Sequence, residues 1–117
     1  MAIKYEDEVN ILILFCHHLY QKLPHQHFVL HQNHPNPFNP VTNIEFSIQK
    51  ESYVTLKVLN LLGREVQTLV NDITPSGFYS VQWDGRTGSG SLAPSGIYIY
   101  QLHSIEGSLS RKMVLMK

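Results

Sequence analysis

Cysteine is almost missing from this chain: Cys16 stands alone, which excludes an internal disulfide and a cysteine-rich zinc site and reads as a buried thiol. Charge of either sign in excess is missing too. Lys plus Arg number 9 and Asp plus Glu number 9, so the formal charge at pH 7 is zero, and no basic field exists to attract nucleic acid or an anionic membrane. Long apolar runs are also absent. The best candidate, "VNILILFC" at residues 9–16, falls far short of the roughly 20 residues that a spanning helix needs, so no transmembrane segment is expected. Glu6, Asp7 and Glu8 precede that run against a single Lys4, and no small-residue cleavage site follows, so no signal peptide is visible in the chain.

What is present is the texture of a β protein. With 117 residues the chain has length for one compact domain and not for two ordinary ones. The first 26 residues stand apart, with an acidic start, the apolar run and then "CHHLYQKLPHQH", which follows neither the helical nor the strand period. From there on, short runs of Val, Ile, Tyr and Leu are broken by Gly, Pro, Asn, Asp and Ser. Ile44, Phe46 and Ile48 alternate with polar neighbours, and Val54, Leu56 and Val58 do the same, each set marking one buried face. Gly63 bends the chain before an extended run from Val66 to Val70. Pro75 and Gly77 suit a turn, after which Tyr79, Val81 and Trp83 share a face, with Trp83 the largest core candidate. "IYIYQLHS" and "SLSRKMVLMK" form a hairpin around Glu106 and Gly107. Tyr98, Tyr100 and Leu102 alternate with Ile97 and Ile99, so that strand reads as central and covered on both faces. With "FVLHQ" included, about seven strands result, the number expected of an antiparallel immunoglobulin-like β-sandwich.

Chemistry-bearing clusters are few. His17, His18, His25, His27, His31 and His34 crowd one stretch and could hold Zn²⁺ or Ni²⁺, but no carboxylate lies among them, and incidental histidines are the preferred reading. "GRTGSGS" lacks the Lys of a phosphate-binding loop and reads as a connection between strands. Asp72 and Asp84 fall far short of a calcium shell and read as turn formers. No nucleophile sits on a recognisable elbow, so neither an enzyme nor a cofactor is expected.

The stretch "HPNPFNP", residues 34–40, is the densest motif. Pro35, Pro37 and Pro40 hold the backbone extended and bias Asn36 and Asn39 away from helix. Both asparagines are placed to accept local main-chain N–H bonds in Asx turns. Phe38 between them reads as an aromatic plug that pins the crossing into the sandwich, its burial contributing roughly 1.5–3 kcal/mol. "NPF" is also a short ligand motif for EH domains, but the surrounding phrase accounts for it better.

That surrounding phrase is one of five. "FVLHQNHPNPFNP", "VTLKVLNLLGREVQTLV", "SGFYSVQWDG", "PSGIYIYQL" and "RKMVLMK" occur in the order and spacing of the type IX secretion C-terminal sorting domain, type A, which the chain resembles from Phe28 onward. His34 stands where that family usually has Tyr, and Val41 where a small hydroxyl residue is common. The resemblance implies an immunoglobulin-like sorting domain over residues 27–117, with residues 1–26 an unassigned extension whose removal leaves stability unchanged. It implies no catalysis. The domain would be a C-terminal signal read by the outer-membrane secretion machinery, with a sortase attaching the cargo at the cell surface. Motif residues implied are Pro35, Asn36 and Pro37, Gly96 and Tyr98, and the basic-ended last strand from Lys112 to Lys117. In that strand Lys112, Val114 and Met116 face one way and Met113, Leu115 and Lys117 the other, leaving the lysines solvated. A flagellar hook-capping protein carries a similar module, so a structural or adhesive immunoglobulin-like role is the alternative.

Overall fold

The computed structural model describes residues 28–117 and the backbone of Ile3–Lys4. Cys16 and the histidines at positions 17, 18, 25 and 27 lie outside the described residues. In chain order the strands are β1 (Ile3–Lys4), β2 (Val29–Leu30), β3 (Thr42–Ile48), β4 (Ser52–Leu59), β5 (Glu65–Thr74), β6 (Gly77–Trp83), β7 (Gly96–Ser104) and β8 (Gly107–Leu115). They form two four-stranded sheets, ordered β1-β6-β3-β2 and β5-β4-β7-β8, and every strand pair is antiparallel. Among the described residues there is no helix, and thus none long and apolar enough to cross a membrane.

The period of two in the sequence decides which side chains meet between the sheets. Ile44, Phe46 and Ile48 on β3 and Tyr79, Val81 and Trp83 on β6 face Val54, Leu56 and Val58 on β4 and Tyr98, Tyr100 and Leu102 on β7, all buried. Met113 and Leu115 of β8 complete that layer. Trp83 is the centre of an aromatic cluster: its ring lies 5.6 Å from Phe38 and 5.4 Å, edge-on, from Tyr98. Its indole N–H donates to the Arg86 carbonyl at 2.9 Å, so burial leaves no orphan donor.

Three expectations need correction. The strand around "FVLHQ" is only Val29–Leu30 long: its ladder with β3 is interrupted where the main chain at His31 and Asn33 bonds Tyr100, and it resumes as a single bridge between His34 and Asn43. The run from Val66 extends through Thr74, ten residues that pair along β4 with two register shifts. Strand β7 is central, between β4 and β8, but only one of its faces is covered by described residues: Ile97 is 44% exposed. Of the N-terminal extension, Ile3 and Lys4 pair with Ser80 and Tyr79 on the edge of β6.

Candidate functional site

The proline motif and the last strand, far apart in sequence, make one structure. The Phe38 N–H donates to the Val114 carbonyl at 3.0 Å, and the Met116 N–H donates to the Phe38 carbonyl at 2.9 Å. This is a parallel bridge onto the free edge of β8. The Val114 N–H, which also points off that edge, donates to Asn36 Oδ1 at 2.9 Å. An edge strand has a row of main-chain groups that must find partners. Here the proline segment satisfies those of Val114.

Asn36 therefore does not make the local Asx turn expected from the sequence. Its acceptor goes to a strand 78 residues away, and Asn39 makes no comparable bond among the described residues. The plug is as expected: Phe38 is 2% exposed, packed on Trp83. Its burial also removes "NPF" as an accessible ligand for an EH domain. Pro35, Asn36, Pro37, Asn39 and Pro40 are all exposed, and the peptide bonds before the three prolines are cis. The turn at Asp84–Gly85 backs this corner. Gly85 has φ +76°, and a Cβ there would stand 3.1 Å from the Pro40 carbonyl oxygen, so a side chain would be both strained and crowded.

A buried polar cluster holds the entry to the motif, and the sequence reading missed it. Asn33, 3% exposed, receives Gln32 Nε2 on its Oδ1 and donates Nδ2 to the Pro35 carbonyl and to Thr42 Oγ1. Thr42 Oγ1 donates onward to the Pro35 carbonyl at 2.8 Å. The Asn33 N–H donates to Tyr100 Oη at 2.8 Å, and Tyr100 donates to the His31 carbonyl at 2.7 Å. Burial pushes the Tyr100 hydroxyl pKa up, against smaller downward pulls from the Asn33 N–H and Arg111. Buried polar groups in such a chain cost little only while each is paired.

Gly96 and Tyr98 turn out to belong to a local corner. Tyr98 is buried, its hydroxyl donates to the Pro94 carbonyl at 2.5 Å, and burial raises its pKa. Gly96 has φ +154°, a region that favours glycine. Lys112 and Lys117 are exposed, as expected, whereas Met113 and Leu115 are buried. The Lys117 N–H donates to Ser95 Oγ at 3.1 Å, tying the end of the chain to the loop before β7. Gln32 Nε2 donates to the Lys112 carbonyl at 2.8 Å, and Arg111 Nε to the Leu30 carbonyl at 2.6 Å. Thus β2, the proline corner and β8 are bonded together.

The remaining candidates stay scattered. Among the described residues no three His, Cys, Asp or Glu side chains gather as metal ligands; His31 and His34, both exposed, are the described members of the histidine cluster. Asp84 Oδ1 accepts from the Arg86 N–H at 3.1 Å, a turn-forming role. Asp72, expected to form a turn, instead lies within β5 opposite Val54, and its Oδ1 accepts from the neighbouring Ile73 N–H. In the glycine-rich loop, Thr87 and Gly90 exchange main-chain bonds with Ser91 and Thr87, and Arg86 Nη1 caps the Gly90 carbonyl.

A model of the FlgD Ig-like domain family matches residues 39–108, more than half of the chain. No curated protein matches it in sequence. Among solved structures, PorZ, described as an essential bacterial surface component of the type IX secretion system of Porphyromonas gingivalis, aligns with a TM-score of 0.53 and 19% identity over 74% of this chain. Dimeric latent PorU from the same organism aligns with a TM-score of 0.59 and 18% identity over 73%. The chain spans only 11% of the PorZ chain and 9% of the PorU chain. FlgD from P. aeruginosa aligns with a TM-score of 0.50 and 19% identity, over 68% of this chain and 67% of that one. At these identities the likeness is one of fold.

Proposed function

The chain belongs to the FlgD Ig-like domain family, and from that premise we propose that it acts as a non-catalytic sorting module, a C-terminal signal read by the type IX secretion machinery for export and cell-surface attachment of a cargo. The observation that supports this reading most is the joining of two of the sorting-domain motifs. The proline corner is bonded to Val114 and Met116 at the end of the last strand, so the exposed prolines are joined to the strand end that carries the exposed Lys112 and Lys117. A receptor that reads such a surface reads a folded domain, because the two motifs meet only when the sandwich is complete. The fold likeness to PorZ, a surface component of that secretion system, is in keeping with the reading. The outer-membrane machinery and a sortase would be the partners, and the cell surface or extracellular space the destination.

A second reading, a structural immunoglobulin-like module, is favoured by the alignment with P. aeruginosa FlgD, which covers two thirds of each chain. Fusing the full chain behind a Sec-directed reporter separates the two. A sorting module places the reporter on the surface of a host that has the type IX machinery and leaves it inside a host that lacks it. Retention in both hosts, with self-association in sedimentation runs, would favour the structural module.

A further inference from the structure

We infer that the outer face of the β5-β4-β7-β8 sheet docks a protein surface of the export machinery whose apolar centre is rimmed by carboxylates. This deepens the sorting reading and rests on it. Most outward positions of this face are polar, among them Thr55, Lys57, Gln101, His103 and Ser110, as expected of an antiparallel sheet turned to solvent, but one end of it is apolar. In register, Leu59 stands beside Ile99, and Ile97 beside Val114, so four branched aliphatic side chains form one patch on three neighbouring strands. Ile97 is 44% exposed and the other three are half-buried. The interior cannot account for them, because β7 already turns Tyr98, Tyr100 and Leu102 inward. A contiguous apolar patch rimmed by polar groups is the usual mark of a protein contact.

Charge says what kind of partner fits. Lys112 stands across the ladder from Ile99, and Arg64 closes the turn beyond Leu59; both are exposed. The carboxylate on this face, Glu65, is engaged by Lys57 at 3.5 Å and by the Thr68 hydroxyl at 2.6 Å. An open cleft lined by Gln32, Ile99, Ser110, Arg111 and Lys112 lies at the edge of the patch, with an apolar floor and a cationic wall. A partner carboxylate placed in that cleft meets Lys112 while its apolar neighbours cover Ile97 and Leu59. An anionic membrane is the poorer match, since two separated cations on a chain of zero net charge make no continuous basic face.

The test uses the full chain fused to the Sec-directed reporter in a host with the machinery. Ile97→Thr with Ile99→Thr keeps β-branched residues in the strand while removing the apolar surface, and Lys112→Glu reverses the charge with no burial to disturb. Each variant is expected to lower surface export about tenfold or more with an unchanged melting temperature. Full export by either folded variant overturns the inference and leaves the sorting reading standing. Absence of export for the unaltered chain removes the sorting reading and the inference with it. Should the isoleucine variant melt early, the Lys112→Glu result decides, with Lys112→Arg expected to restore export. Co-sedimentation of the full chain with phosphatidylserine vesicles, lost in Lys112→Glu while export persists, would give the surface to a membrane and overturn the inference.

Discussion

The same corner is built twice in this molecule. Pro75-Ser76-Gly77-Phe78-Tyr79 opens β6 and Pro94-Ser95-Gly96-Ile97-Tyr98 opens β7. In each, the glycine takes a φ near the mirror-β region, 149° at Gly77 and 154° at Gly96. In each, the tyrosine folds back so that its hydroxyl donates to the proline carbonyl four residues earlier, at 2.6 and 2.5 Å. Both rings are then buried, Tyr79 stacked 5.4 Å from Phe46 and Tyr98 edge-on to Trp83. The corner starts one inner strand in each sheet. What differs is the residue between glycine and tyrosine: Phe78 is half-buried, and Ile97 is open on the outer face. A motif that recurs with the same bonds in both sheets is a folding device, and any recognition has to come from what the two copies do not share.

The largest expected effect tests whether the second corner is tied to the core. Trp83→Ala removes the ring against which Tyr98 and Phe38 pack and should cost about 3–5 kcal/mol, enough to unfold a marginal domain. A loss below about 1 kcal/mol in denaturant midpoints would mean the aromatic cluster contributes little, and the comparison of the two corners would fail on the Tyr98 side.

The glycines come next. Gly77→Ala and Gly96→Ala should each cost about 1–3 kcal/mol, because each forces a side chain into a backbone region that L-residues avoid. Similar losses at both positions support a shared device. A Gly96→Ala chain that keeps its midpoint but loses export would instead make Gly96 a contact residue.

Tyr79→Phe and Tyr98→Phe delete only the hydroxyl bond and should cost about 1 kcal/mol each. Tyr98 and Tyr100 add a pH arm. Burial raises both hydroxyl pKa values, so their contribution is complete below the unfolded value of about 10 and is lost as pH rises through the folded value. Unfolding midpoints measured upward from pH 9 should fall, and fall less steeply in Tyr98→Phe. An unchanged slope would mean that the hydroxyl stays well solvated in the fold.

Most of the fold was legible because period-two alternation names the inward residues directly. Ile44, Phe46 and Ile48 need no partner to be identified, only neighbours of opposite polarity. The hairpin at Glu106–Gly107 and the turn at Asp84 were legible for a similar local reason. What escaped is non-local. Asn36 looks like an Asx-turn residue until β8 supplies the Val114 N–H, and Asn33 looks like a loop residue until Tyr100, 67 positions away, accepts its N–H. Sequence spacing cannot order such pairs, since the sandwich alone brings them together. The repeated Pro-Ser-Gly-x-Tyr was readable, and it would have marked Gly96 and Tyr98 as structural. The apolar outer positions of β7 were read correctly as apolar, and the cover assumed for them is not supplied by the described residues.

If the two corners are folding devices, the proposed sorting reading puts its recognition surface where the proline crossing and the last strand meet. The surface fraction of a reporter fused to the full chain with Lys112→Ala and Lys117→Ala tests this most directly. Both lysines are exposed, so the melting temperature should stay within a few degrees of the unaltered chain, as expected of surface charges worth less than about 0.5 kcal/mol each. The account predicts a sharp fall in the exported fraction. Normal export by this folded double variant would contradict it and leave the last strand a purely structural element.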